Sequence, residues 1–306
     1  MDRLNYSTHA IDDLLKFAEI TNDDFLRKLN RMLANDLSES IKFMLPEGGR
    51  IIQSMDKLNG ALTNENFRLP FKKIAIEFAI DQKPQFDEKL GEWTTSVPKR
   101  IAFCEATTIH KAFKKYYGKT LDDVKDKDCI VVLPVNYRPT STIKWFPNVC
   151  IGFITGADFH YRDSIMVSKD ITMLPLGNQA AALAKSGQYT DNHMSADLSD
   201  EINALFQLIF ILNCKNIVVN NEPAPIKLNK KRVKSGKTVF FDYKVLTVRQ
   251  TRKQGKRGNT INSRRSPRTH LRMGHPRVFS NGVSIWINDT TVCGGEFLDK
   301  DYKLLY

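Results

Sequence analysis

Apolar positions in the first sixty residues recur at helical spacing. Ile11, Leu14, Leu15 and Ala18 fit the i, i+3, i+4, i+7 pattern of a single helix face. Phe25, Leu29, Met32 and Leu33 carry a second stripe, with Arg27, Lys28 and Arg31 opposite. Thr21, with Asn22, Asp23 and Asp24 after it, reads as an N-cap with acids in the first turn. Gly48-Gly49 and Gly60 break up the chain beyond these stripes, so a helical N-terminal layer is expected over residues 1–65.

From Pro70 the period changes to two. Ile74, Ile76, Phe78 and Ile80 alternate along 71–80, the signature of a half-buried strand. Further strands are expected at Lys99–Cys104, Cys129–Val135, Val149–Ile154 and Ser164–Val167, with a helix near Ile109–Tyr117 between them. Ser199, with Asp200 and Glu201 behind it, reads as the cap of a helix that is apolar nearly all round to Cys214 and therefore buried. Residues 66–221 thus form an α/β body. The expected fold class is α+β, with a mixed, mainly antiparallel sheet.

Glu222-Pro-Ala-Pro225 punctuates the chain and opens a third region, 222–306, expected to be basic and β-rich. Leu228–Lys237 reads as a basic loop, and Thr238–Val248 as one long strand of β-branched and aromatic residues. Arg249–Arg268 has almost no apolar residue and is expected to be a loop or linker. His270–Arg277 and Val283–Val292 resume strand character around an Asn281-Gly282 hairpin signal.

Charge sharpens this division. The 306 residues hold 46 Lys+Arg against 34 Asp+Glu, a net of +12. Lys227 to Arg277 contains 17 of the bases and a single acid, Asp242, leaving 29 bases and 33 acids elsewhere. A body of net −4 therefore carries a segment of net +16, and such a segment points to a polyanion partner. Five cysteines without a CxxC pair read as reduced thiols of a cytosolic protein, neither a disulfide framework nor a zinc site. No signal-peptide core and no apolar run long enough to span a bilayer appear, so no membrane association is expected.

Candidate chemistry concentrates in the same segment. Lys230, Lys231, Arg232, Arg264, Arg265, Arg268, Arg272 and Arg277 are candidate phosphate contacts, Arg by bidentate hydrogen bonds. His270 and His275 add titratable donors, and Trp286 is either a base-stacking platform or a core residue, with core favoured. As a second reading, His270 and His275 would be acid and base of a metal-independent ribonuclease. On an extended strand, however, they point to opposite faces unless Gly274 breaks it. A DNA-binding regulator is the third reading. No cofactor or metal motif occurs: the chain lacks GxGxxG, a P-loop, HExxH and GxSxG. Isolated histidines at 9, 110, 160 and 193, and the acid pairs Asp12/Asp13, Asp23/Asp24 and Asp122/Asp123, read as structural.

The string Pro267-x-x-His270-x-Arg272-x-Gly274-His275, a short turn, then a strand with Trp286 resembles the C-terminal end of a phage and mobile-element family. This is the family of type V-A anti-CRISPR proteins that suppress synthesis of the CRISPR effector nuclease. Asn229-Lys230-Lys231, after an apolar helix and Glu222-Pro223, is similar to an upstream stretch of that family. Met273 and Pro276 depart from the family pattern. The resemblance implies a non-enzymatic binding protein in the cytoplasm of a bacterial host. Its body would recognise a nascent peptide of the defence nuclease. Its basic C-terminal region would face RNA or the ribosome and lower the mRNA.

Overall fold

The structure is a computed structural model. It describes residues 4–52, 58–59, 61–80, 85–87, 92–94, 98–162, 165–248, 270–272, 275–279, 281–287 and 290–292. The helices are α1 (Tyr6–Ile20), α2 (Asp24–Glu39), α3 (Ile109–Tyr117), α4 (Asn178–Lys185), α5 (Asp191–Leu212) and α6 (Ile226–Lys234). The strands through the body are β1 (Ile41–Met44), β2 (Lys73–Ala79), β3 (Gln85–Asp87), β4 (Glu92–Thr94), β5 (Lys99–Thr108), β6 (Asp128–Tyr137), β7 (Trp145–Pro147) and β8 (Cys150–Ile154). After them come β9 (Phe159–Arg162), β10 (Ile165–Ser168), β11 (Ile171–Pro175), β12 (Ile217–Glu222) and β13 (Tyr243–Val248). The last four are β14 (His270–Arg272), β15 (His275–Val278), β16 (Ser284–Ile287) and β17 (Thr290–Val292).

Nine strands form one sheet in the order β11-β8-β6-β5-β2-β1-β13-β12, with β7 pairing the far half of β6. Only β1 pairs in parallel, with β2 and with β13; every other ladder of the sheet is antiparallel. The protein is thus α+β with a mixed, mainly antiparallel sheet. β13, from the basic segment, lies inside this sheet between β1 and β12.

Helices cover both faces. On one side α5 buries Leu198, Ile202, Leu205, Phe206 and Ile209 against Ile74, Ile76, Ala102, Cys104 and Val132. On the other, Leu14 of α1, Leu33 of α2 and Ala112 of α3 pack on Ala75, Ile101, Phe103, Val131 and Leu133. Alternate residues of β2 and β5 therefore enter two different cores. This corrects the half-buried strand expected at 71–80: Ala75 and Glu77, on the supposed solvent face, are fully buried.

The charged groups taken into these layers are paired, as their desolvation demands. Glu77 accepts the Tyr6 and Ser7 amides at 2.8 and 2.9 Å and the Tyr243 hydroxyl at 2.6 Å. A strand carboxylate thereby caps the open N-terminus of α1, where amide dipoles converge. Lys42 donates to the carbonyls of Leu37, Ser38 and Ser40 at the end of α2, its ammonium 3.7 Å above the Phe241 ring. Arg100 meets Glu201 at 2.9 Å and Asp200 at 3.6 Å. Lys73 and Lys115 share Asp36, each with a second carboxylate, Glu39 or Glu105. Gln207, which interrupts the apolar face of α5, accepts the Ile51 and Ile52 amides at 2.7 Å each.

Several boundaries differ from expectation. The α2 cap is Asp23, which accepts the Leu26 amide at 3.0 Å; Thr21 instead accepts the Asp23 amide. α5 starts at Asp191, not after Ser199, because Met194 and Leu198 extend its inward stripe a further two turns. There His193 accepts the Thr190 amide at 3.2 Å as part of a capping box. Further differences lie at the candidate site.

Candidate nucleic-acid interface

The basic loop expected at 228–237 is a helix. α6 starts after Pro225 and ends in a Schellman motif: Gly236 donates to Val233 and Lys237 to Arg232, at 3.1 and 3.0 Å. Gly236 takes φ +65°, the left-handed conformation that the motif requires.

α6 has no buried residue, and polar side chains hold it in place. Asn229 exchanges two hydrogen bonds with the Phe240 backbone, at 2.7 and 2.9 Å. Arg232 donates to the Thr238 carbonyl and, at 3.1 Å, to Asp12 of α1, its guanidinium 4.6 Å from the Phe240 ring centre. Asp12 also accepts the Thr238 amide, and Thr8 donates to the Val239 carbonyl. Residues 238–242 therefore run as a strap over α1. The long strand expected at 238–248 is shortened to β13 because these amides have side-chain partners in place of a ladder.

This docking sorts the basic residues. Arg232, expected to grip phosphate, is committed to α1 and the strap. Lys227, Lys230, Lys231 and Lys234 stand at i, i+3, i+4 and i+7, and all four are exposed. Among the described residues none of them makes an ion pair. Lys227 and Lys234 do not stand out in the sequence, because a segment read as a loop has no faces.

The second part of the site is the hairpin of β15 and β16, closed by Gly282 at φ +76°. Trp286 is 5% exposed and joins the core beneath α5, so its ring gives no open face to a base. Asn216 fixes it, accepting the Trp286 amide at 2.8 Å and donating to its carbonyl at 2.7 Å. Burial corrects the stacking role considered for Trp286. The exposed ring is Phe279, not singled out in the sequence, with the Arg277 guanidinium 4.9 Å from its centre. Arg277 and Phe279 are two residues apart at the end of β15, the spacing that puts side chains on one face.

His275 is half-buried on β15, and His270 and Arg272 lie on β14, whose partner is β17; the two histidines belong to separate ladders. The side chains of 270–272, together with Arg264, Arg265 and Arg268, lie outside the described residues. No group of three His, Cys, Asp or Glu among the described residues is placed to hold a metal. Burial pushes the thiols of Cys129, Cys150 and Cys214 up to about 12 and that of Cys104 higher still, so none is a ready nucleophile. No helix among the described residues is long and apolar enough to cross a membrane.

The model of the AcrVA2-like, anti-CRISPR type V subtype A2 family matches residues 52–294. The chain belongs to this family. The matched span covers β2 through β17, including α5, α6 and the Trp286 hairpin. No curated protein and no solved structure matches the chain.

Proposed function

We propose that this anti-CRISPR protein lowers synthesis of the host defence nuclease by meeting it during translation. The α/β body recognises a nascent peptide of the nuclease, and the basic C-terminal region faces RNA or the ribosome. Family membership supports the anti-CRISPR half of this reading. The observation that carries the RNA half is the lysine face of α6: four exposed ammonium groups in two helical turns, on a helix that Asn229 and Arg232 orient from its opposite side. Phosphate backbones favour such a face, since each neutralised phosphate releases a condensed counterion. Arg277 and Phe279 supply a cation beside an exposed ring, the pairing that suits an unstacked base.

A translating bacterial lysate tests this. Wild-type protein should pellet with ribosomes that carry the nuclease message, and that message should decline. Lys227→Ala/Lys231→Ala/Arg277→Ala, whose side chains are all exposed, should stay folded and lose both effects. Unchanged pelleting and message loss in this variant would remove the basic region from the mechanism.

A further inference from the structure

Beside its lysine face, α6 borders a surface groove of about 600 Å³. Pro223, Ala224, Ile226 and Val233 supply its apolar surface, and Lys230 and Lys234 reach it from the helix. Ile226 is 71% exposed and Val233 64%, the two most open large apolar side chains among the described residues. Neither contributes to a core, since α6 is held by Asn229 and Arg232. Asp242 is the one acid in the lining, and its carboxylate is engaged by the Ala224 amide at 2.7 Å and by Asn221 at 3.3 Å.

We infer that this groove docks an acidic, amphipathic peptide segment of a protein partner. Its apolar side chains would lie on Ile226 and Val233, and its carboxylates would meet Lys230 and Lys234. Two features select this occupant. The lysines have no acid partner among the described residues, so the rim is complementary to negative charge. The lining contains no aromatic residue, so a nucleobase would find no stacking surface there, whereas aliphatic side chains would. The groove goes beyond the RNA contact proposed for the same helix: Lys230 and Lys234 serve both, while Lys227 and Lys231 lie outside the groove lining.

The test is fluorescence anisotropy with three labelled probes. One is a 14-residue peptide with Leu at i, i+3, i+4 and i+7 and Glu between them. The second carries Ser in place of each Leu, and the third is a 14-nucleotide single-stranded RNA. The Leu/Glu peptide should bind, and the Ser/Glu peptide should bind at least about tenfold more weakly. Ile226→Ser/Val233→Ser should lose the Leu/Glu peptide by a similar factor, with an unchanged melting curve and unchanged RNA binding. Lys227→Ala/Lys231→Ala should show the reverse, which separates failure of the groove from failure of the RNA reading. Equal binding of the two peptides, no loss in the Ile226/Val233 variant, or equal loss of RNA and peptide would overturn the assignment. So would concentration-dependent dimerisation abolished by the same variant, since a second copy would then fill the groove.

Discussion

The ion pairs around Arg100 and the lysines of α6 show two uses of charge in one chain. Arg100 is nearly buried and faces Glu201, which is fully buried, with Asp200 behind. Burial pushes the Glu201 carboxyl up to about 7, although Arg100 pulls it the other way. Such charges are confined to fixed partners and one geometry. On α6 only Arg232 is spent that way, and four lysines remain exposed around it. A strong local excess of one sign therefore does not by itself locate an interface. The candidates are the subset of cations that the fold has left uncommitted.

The contrast can be broken first inside the body. Glu201→Ala would strand the Arg100 guanidinium in a buried site and should cost about 3–5 kcal/mol in urea denaturation. Trp286→Ala should cost a similar amount, about 3–5 kcal/mol, because it empties a core position. Trp286→Leu should recover part of that and keep RNA binding, an outcome that a base platform would not allow. Arg232→Ala removes a charged hydrogen bond to Asp12 and one to Thr238, and should lower stability by about 2 kcal/mol. Lys231→Ala, one residue away, should change stability by less than about 0.5 kcal/mol. Equal losses at 231 and 232 would erase the distinction between committed and open cations.

Much of this architecture is legible in the chain. α3 spans Ile109–Tyr117 as its pattern indicates, closed by Gly118 at φ +66°. The period-2 runs become β2, β5, β6 and β8, and the apolar helix becomes the core of α5. α6 is hidden because helical periodicity is visible only when one face is apolar, and here Ile226, Leu228 and Val233 are all exposed. Its remaining signal is the end: Lys231, Arg232 and Lys234 before Ser235-Gly236, a helix C-terminus. The split of the bases is not readable at all. It depends on Asp12, 220 residues from Arg232, and burial of Trp286 depends on Asn216, 70 residues away.

On the reading proposed above, the open lysine face of α6 meets nucleic acid through its phosphates. The most direct measurement is the affinity for single-stranded RNA as a function of salt, for wild type and Lys227→Ala/Lys231→Ala. Each lost phosphate contact on a single strand should flatten the slope of log K against log salt by about 0.7. The variant should bind more weakly, with a slope shallower by about 1.4 for two contacts. An unchanged slope with unchanged affinity would contradict it.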